Sequence, residues 1–228
     1  MSQIELAGRP APPSTWHMYR AMVGIGVLCG FIIVTVFQLT RPIIERNKAE
    51  ALQKAIFHVL PQASTSIAYR LDESGDFKPV DGESVGAARV YAGYDGEHEL
   101  LGLAVEAQGM GYQDVIRLIY GYSSAKQAII GIQVLETKET PGLGDKIQSD
   151  PDFLQNFQRL DVSLVADRSK LAHPIVPVRH GQKTHPWEVD SITGATISST
   201  AVADILNRSA QYWVPRIQNN LSDFQERE

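Results

Sequence analysis

The sequence predicts an α+β fold, with one N-terminal transmembrane helix ahead of a domain that has an antiparallel sheet and flanking helices. Three observations predict it. Residues 21–39 run for nineteen positions without a charge; four short apolar runs with tight connections lie between Val90 and Glu136; and apolar residues from Val202 to Leu221 recur at helical spacing.

The first element reads AMVGIGVLCGFIIVTVFQL. At about 1.5 Å per residue, such a helix nearly matches a hydrocarbon core of roughly 30 Å. Arg20 and Arg41 bracket it, and Trp16 and Tyr19 stand where aromatic anchors sit. A cleavable signal peptide would have a shorter apolar region and end at a small-x-small site. Here the run ends in FQLTRP, which favours an uncleaved anchor. Charge leaves the orientation open, since Arg9 and Arg20 precede the span while Arg41, Arg46, Lys48 and Lys54 follow it. Cys29, the sole cysteine, lies mid-span and reads as a small apolar residue.

After Pro42, the spacing of Ile44, Ala51, Ala55 and Val59 predicts a stalk or packing helix, with Pro42 in its first turn and Pro61 as its stop. Residues 62–87 are rich in Ser, Gly, Asp and Glu and read as loops around a short strand. Strands are expected at Val90–Tyr94, Leu101–Glu106, Val115–Tyr122 and Ile129–Glu136, joined as an antiparallel meander. A short helix is expected over Pro151–Phe157, and an amphipathic helix over residues 198–221.

Composition narrows the function. Hydrophobic residues at 43% and charged residues at 21% suit neither a disordered chain nor a polytopic membrane protein. A net charge of −5 argues against a nucleic-acid partner, because tracking phosphates needs a basic excess. One cysteine cannot make an intrachain disulfide, a four-thiolate cluster or a c-type haem attachment. Among six histidines only His180 and His185 are close in sequence, and the prolines around them mark a loop, so no metal site is expected. GxSxG, P-loop and GxGxxG patterns are all missing.

Two segments stand out. In ETPGLGDK (Glu139–Lys146), Gly142 and Gly144 flank Leu143, so the backbone can approach a ligand closely or simply change direction. In DSITGAT (Asp190–Thr196), Gly194 and Ala195 leave the Thr196 hydroxyl accessible just before the amphipathic helix. Unpaired amides at that helix start suit a phosphate. Ordinary N-capping by Thr196, Ser198, Ser199 or Thr200 is the plainer alternative.

DSITGAT resembles the Asp-x-x-(Ser/Thr)-Gly-Ala-Thr signature of the FMN-binding domain family, whose flavin is joined by a phosphodiester to the final threonine. ETPGLGDKI resembles that family's second signature loop. With one N-terminal span, nearly the whole chain is similar to the G subunits of Rnf ion-translocating electron-transport complexes, a family related to the C subunits of the sodium-translocating NADH:quinone reductases. The resemblance implies a bacterial inner-membrane electron carrier with covalent FMN on Thr196, installed from FAD by a separate flavin transferase. It implies Asp190 as a recognition carboxylate, and Thr193, Gly194 and Ala195 as the clearance around the acceptor. The loop residues Glu139, Thr140, Gly142, Leu143 and Gly144, with Tyr112 of the Gly109–Tyr112 turn, would wall the flavin ring, and Lys146 would favour the reduced anion. It further implies a cytoplasmic segment 1–20, span 21–39, stalk and connecting segment 40–87, periplasmic FMN-binding domain 88–221 and tail 222–228. Partners would be the other membrane, iron–sulfur and flavin subunits of the complex. An anchored non-redox periplasmic scaffold or ligand-binding subunit is the alternative from a different class.

Overall fold

A computed structural model of the chain describes residues 15–80 and 90–225. Arg9, the rest of residues 1–14, residues 81–89 and the last three residues of the expected tail lie outside the described residues. The chain packs as two compact units, residues 1–50 and 51–228.

Helix α1 runs unbroken from Thr15 to Val59. The uncharged run lies inside it with its large side chains exposed, Phe31 and Ile33 each at 68%, so the helix is long and apolar enough to cross a membrane. The two helices expected on either side of Pro42 are one, with Pro42 inside it. Proline lacks the N–H that would bond one turn back, and the neighbouring Thr40 hydroxyl donates to the carbonyls of Val36 (2.8 Å) and Phe37 (3.2 Å). Beyond the span, Arg41–Glu45 and Arg46–Glu50 pair at helical spacing.

The second unit is built on a seven-stranded antiparallel sheet in the order β2-β1-β3-β4-β5-β6-β7. The strands are β1 Thr65–Leu71, β2 Phe77–Pro79, β3 Val90–Tyr94, β4 Leu100–Met110, β5 Val115–Ser123, β6 Ala128–Glu136 and β7 Leu160–Asp161. The expected meander is β3 to β6, each pairing with the next. Residues 62–87, expected to hold one short strand, instead supply the hairpin β1–β2, so the sheet starts at Thr65, well ahead of residue 88. Asp72 accepts from the amides of Ser74 and Asp76 and closes that hairpin's turn.

Alternation along the strands gives the sheet two apolar faces. Leu118 and Tyr120 join the main core beneath helix α3 (Thr196–Asn219), whereas Ile119 joins a smaller cluster with Tyr91, Ala104 and the end of α1. On the second face, Gly93 pairs with Gly102 and Gly121 with Gly131, leaving a trough across β3–β6. Leu60 lies over the first pair and Val59 over the second. A Cβ on Gly121 would fall well inside contact distance of the Val59 carbonyl oxygen, a backbone atom that cannot swing away. Gly121→Ala is therefore expected to destabilise the domain by about 1–3 kcal/mol, read as a lower denaturation midpoint at unchanged slope.

The C-terminal end is also part of the core. A 3-10 turn at Leu221–Phe224 buries Phe224 completely. The Tyr94 hydroxyl donates to the Phe224 carbonyl (2.7 Å), and Asp223 accepts from the Phe77 amide (2.9 Å). The expected tail 222–228 is thus anchored at its start, because an aromatic ring closes the core there. Finally, β8 (Val176–Val178) and β9 (Glu188–Asp190) form a separate parallel pair that presents Asp190.

Candidate functional site at the start of helix α3

Helix α3 begins at Thr196, two residues before its expected start, with Ala195 as the flanking residue and no side-chain cap. The chain enters it through a turn in which the Ala195 amide donates to the Ile192 carbonyl (3.1 Å). Gly194 occupies that turn at φ +83°, which a side chain would strain, and nothing lies within 4 Å of where its Cβ would be. The alternative of N-capping by the first-turn hydroxyls is not what forms, and two of those hydroxyls are used elsewhere. Ser199 Oγ donates to the Ala195 carbonyl (2.9 Å) and accepts from the Ile192 amide (3.1 Å). Ser198 Oγ donates to the carboxylate of Glu139. Thr196 is exposed, and its hydroxyl has no protein partner among the described residues. The amides of Thr196, Ile197 and Ser198 likewise have no acceptor there, as expected of a helix start.

The signature loop follows β6. Glu139 is 5% exposed, and one carboxylate oxygen accepts from the amides of Tyr112 (2.9 Å) and Gln113 (3.0 Å) while the other takes the Ser198 hydroxyl. Both oxygens of its carboxylate are therefore engaged by protein groups. Lys138 clasps the same β4–β5 turn from outside, with Nζ 2.5 Å from Asp114 Oδ2. The Gly111 amide closes that turn on the Asp114 carbonyl (2.9 Å). Past Glu139, the Thr140 carbonyl accepts from the Leu143 amide (3.1 Å), and Gly142 takes φ +77°. Leu143 is half-exposed at the crest, Tyr112 and Ile197 are exposed on the two segments that Glu139 ties to it, and Gly144 opens a 3-10 turn ending at Gln148.

Asp190, at the end of β9, is held from several sides. Asn156, just after the short helix α2 (Pro151–Gln155), accepts from the Asp190 amide (3.0 Å) and donates to its carbonyl (3.1 Å). Asp190 Oδ2 accepts from the Gly181 amide (2.8 Å) and lies 4.0 Å from His180 Nδ1. Its other oxygen, Oδ1, is buried without a hydrogen-bond donor, as is Asp145 Oδ1. A cleft of about 250 Å³ here is lined by Lys146, Asp150, Asp152, His180, Asp190 and Thr193, among others. Lys183 Nζ donates to Asn156 Oδ1 (3.1 Å), and burial holds its ammonium pKa below the ordinary value.

Glu188 braces the same strand, accepting from the amides of Thr184 (2.7 Å) and His185 (2.9 Å). Those amide bonds hold its carboxyl below the ordinary value of 4.5. A lowered folded-state pKa means a contribution that is full above 4.5 and is lost as pH falls through the folded value. Glu188→Gln is accordingly expected to be less stable than the parent at neutral pH. The gap should narrow below about pH 4.5, as thermal midpoints across a pH series would record.

The structure brings Thr193, Gly194, Ala195 and Thr196 together on one turn, links Glu139 and Tyr112 to it through Ser198, and lines one cleft with Asp190, Lys146 and Thr193. The part that Asn156 and Lys138 play in bracing the site carries no signal in the sequence. Ser198 carries a slight one, as a serine two residues past Thr196. The expected loop histidines do sit on loops, with His173 and His185 stacked on Trp187 at 3.8 and 4.5 Å between ring centres.

A phosphate-linked flavin suits these residues. The exposed hydroxyl, the open turn and the unpaired helix-start amides are features that suit a phosphate-bearing ligand. Residues 111–211 match the FMN-binding domain family. The chain is 33% identical over 196 residues to the G subunit of the ion-translocating oxidoreductase complex of Methanosarcina acetivorans, covering 84% of this chain and 90% of that protein. It is 30% identical over 195 residues to the protein of the same name from Haemophilus influenzae, covering 84% and 87%. The chain belongs to the family of ion-translocating oxidoreductase complex G subunits. Its fold is shared with NqrC of Shewanella oneidensis, with a TM-score of 0.57 and 19% identity, covering 78% of this chain and 96% of that one.

Proposed function

We propose that this chain is the electron-relaying subunit of a membrane-bound ion-translocating oxidoreductase and carries FMN through a phosphodiester on Thr196. The observation that carries the reading is the exposed, unbonded Thr196 hydroxyl at a helix start whose first amides have no protein acceptor. FMN supplies one- and two-electron redox chemistry when bound. The chain's own part is to hold and orient it. Attachment forms a bond from Thr196 Oγ1 to the flavin-side phosphorus of FAD and breaks the pyrophosphate linkage. AMP leaves, and the threonine proton passes to a base on the transferase. The unpaired amides at the start of α3, with the positive end of the helix dipole, would hold the phosphodiester's charge. Tyr112, Leu143 and Ile197 offer apolar surface to the ring, and Lys146 a cation for its reduced form. Asp190, in the cleft beside Thr193, is the carboxylate the transferase recognises.

The resemblance supports a periplasmic position for the domain and FMN transfer by a separate transferase, with the other membrane, iron–sulfur and flavin subunits as partners. Ion movement belongs to those subunits. The test is mass analysis of the denatured protein after co-expression with a flavin transferase active on a control substrate. An adduct of one FMN less water on the Thr196 peptide supports the reading. An unmodified peptide refutes it and moves the anchored non-redox scaffold ahead.

A further inference from the structure

Three segments of the site meet at one carboxylate. Glu139 accepts from the Tyr112 and Gln113 amides of the β4–β5 turn and from Ser198 in the first turn of α3, while its backbone belongs to the signature loop. The surroundings are cleared for it. A Cβ on Gly111 would stand 2.5 Å from Glu139 Oε1, and one on Gly144 would stand 2.7 Å from Oε2 and 2.6 Å from Ser198 Oγ. Two glycines from different segments thus let the backbone close on one buried charge, and the exposed Tyr112, Leu143 and Ile197 each ride on a segment it fastens.

We propose that Glu139, acting with Ser198, is a positioning residue: it sets the separation between the acceptor threonine and the Tyr112 and Leu143 segments, and so the pose in which the flavin is attached and held. This deepens the reading of Thr196 as the FMN acceptor and rests on it. Two hydroxyl- or amide-bearing elements bound to a single carboxylate are held at a fixed separation. Glutamine at this position keeps the shape, since its carbonyl can accept both amides while its NH2 donates to Ser198 Oγ. Alanine leaves all three donors without an acceptor.

The test compares Glu139→Gln, Glu139→Ala and Ser198→Ala in the full-length chain, below the melting temperature of each. Attachment rate is measured with FAD and transferase, visible circular dichroism is recorded on the attached flavin, and amide hydrogen exchange is followed at residues 111–113 and at the first hydrogen-bonded amides of α3, residues 199–202. Glu139→Ala and Ser198→Ala are expected to slow attachment on the order of tenfold or more and to change the flavin dichroism, because small misplacements of a reacting group are costly. Glu139→Gln should stay near the parent in both. Exchange in the two segments should rise together in Glu139→Ala. Folded Glu139→Ala protein with parental attachment rate and dichroism would overturn the proposal. So would unchanged exchange in the two segments, a readout that does not depend on the flavin. A parent chain that takes no flavin at Thr196 would instead count against the acceptor reading, leaving the exchange result to decide the positioning role.

Discussion

Thr196→Val is expected to remove all covalent flavin from the protein while leaving its fold intact. Valine copies the shape of threonine and lacks only the oxygen that must bond phosphorus. That hydroxyl has no protein partner among the described residues, and Thr196 is exposed in the first position of α3, so its loss should move stability by less than about 0.5 kcal/mol. Nearby hydroxyls are poor substitutes. Ser198 is bonded to the buried Glu139, and Ser199 bridges the Ile192 amide and the Ala195 carbonyl. Thr196→Ser should retain the adduct, since the nucleophile and the open turn at Gly194 are both kept. Flavin fluorescence surviving denaturation in the valine variant, or a lowered melting temperature without it, would count against this account.

Phe224→Ala is expected to give the largest stability loss, about 3–5 kcal/mol, as for other buried aromatic truncations. The ring is wholly buried, edge-on to Tyr69 at 4.9 Å and tilted against Phe77 at 4.7 Å between ring centres. Tyr69 and Tyr94 share a hydroxyl–hydroxyl bond of 2.9 Å beneath it, with Tyr94 continuing to the Phe224 carbonyl. Removing the ring opens a void where β1, β2 and the chain end meet and loosens the carbonyl that terminates this chain of hydroxyls. A full-length protein whose denaturation midpoint barely moved would show the C-terminal turn to be dispensable.

The comparison of these two residues shows what the sequence makes legible. Thr196 is readable because its chemistry is local: a hydroxyl, two tiny neighbours and a helix start sit within a few residues. Phe224 looks like part of a polar tail, and only a sheet edge some 150 residues earlier in the chain, around Phe77, gives it a pocket. The meander is legible because its strands are short apolar runs bounded by Gly, Asp or Ser, and each meets its sequence neighbour. Strands β1 and β2 are not, since a polar turn through Gly75 breaks the pattern. Strands β8 and β9 escape notice because each is three residues long and their pairing is parallel. Pro42 suggests a helix boundary, whereas the helix continues through it. Glu139 is legible as part of the site, but its direction is not. A motif shows which residues travel together, and only the fold shows that this carboxylate turns inward, to amides from an earlier turn and a hydroxyl from a later helix.

The order of synthesis gives that inward turn another meaning. Helix α3 covers the main core with residues such as Val202, Leu206 and Ile217, and it follows every strand of the sheet along the chain. The bond from Ser198 to Glu139 spans 59 positions, a non-local contact that joins the first turn of α3 to the loop after β6. The turn that bears Thr196 is therefore fastened to the signature loop only in the folded domain. A truncated or misfolded chain presents the same seven letters of motif without the loop and turn fastened beside them. Any enzyme that reads that arrangement, and not the peptide alone, would load cofactor only onto finished molecules.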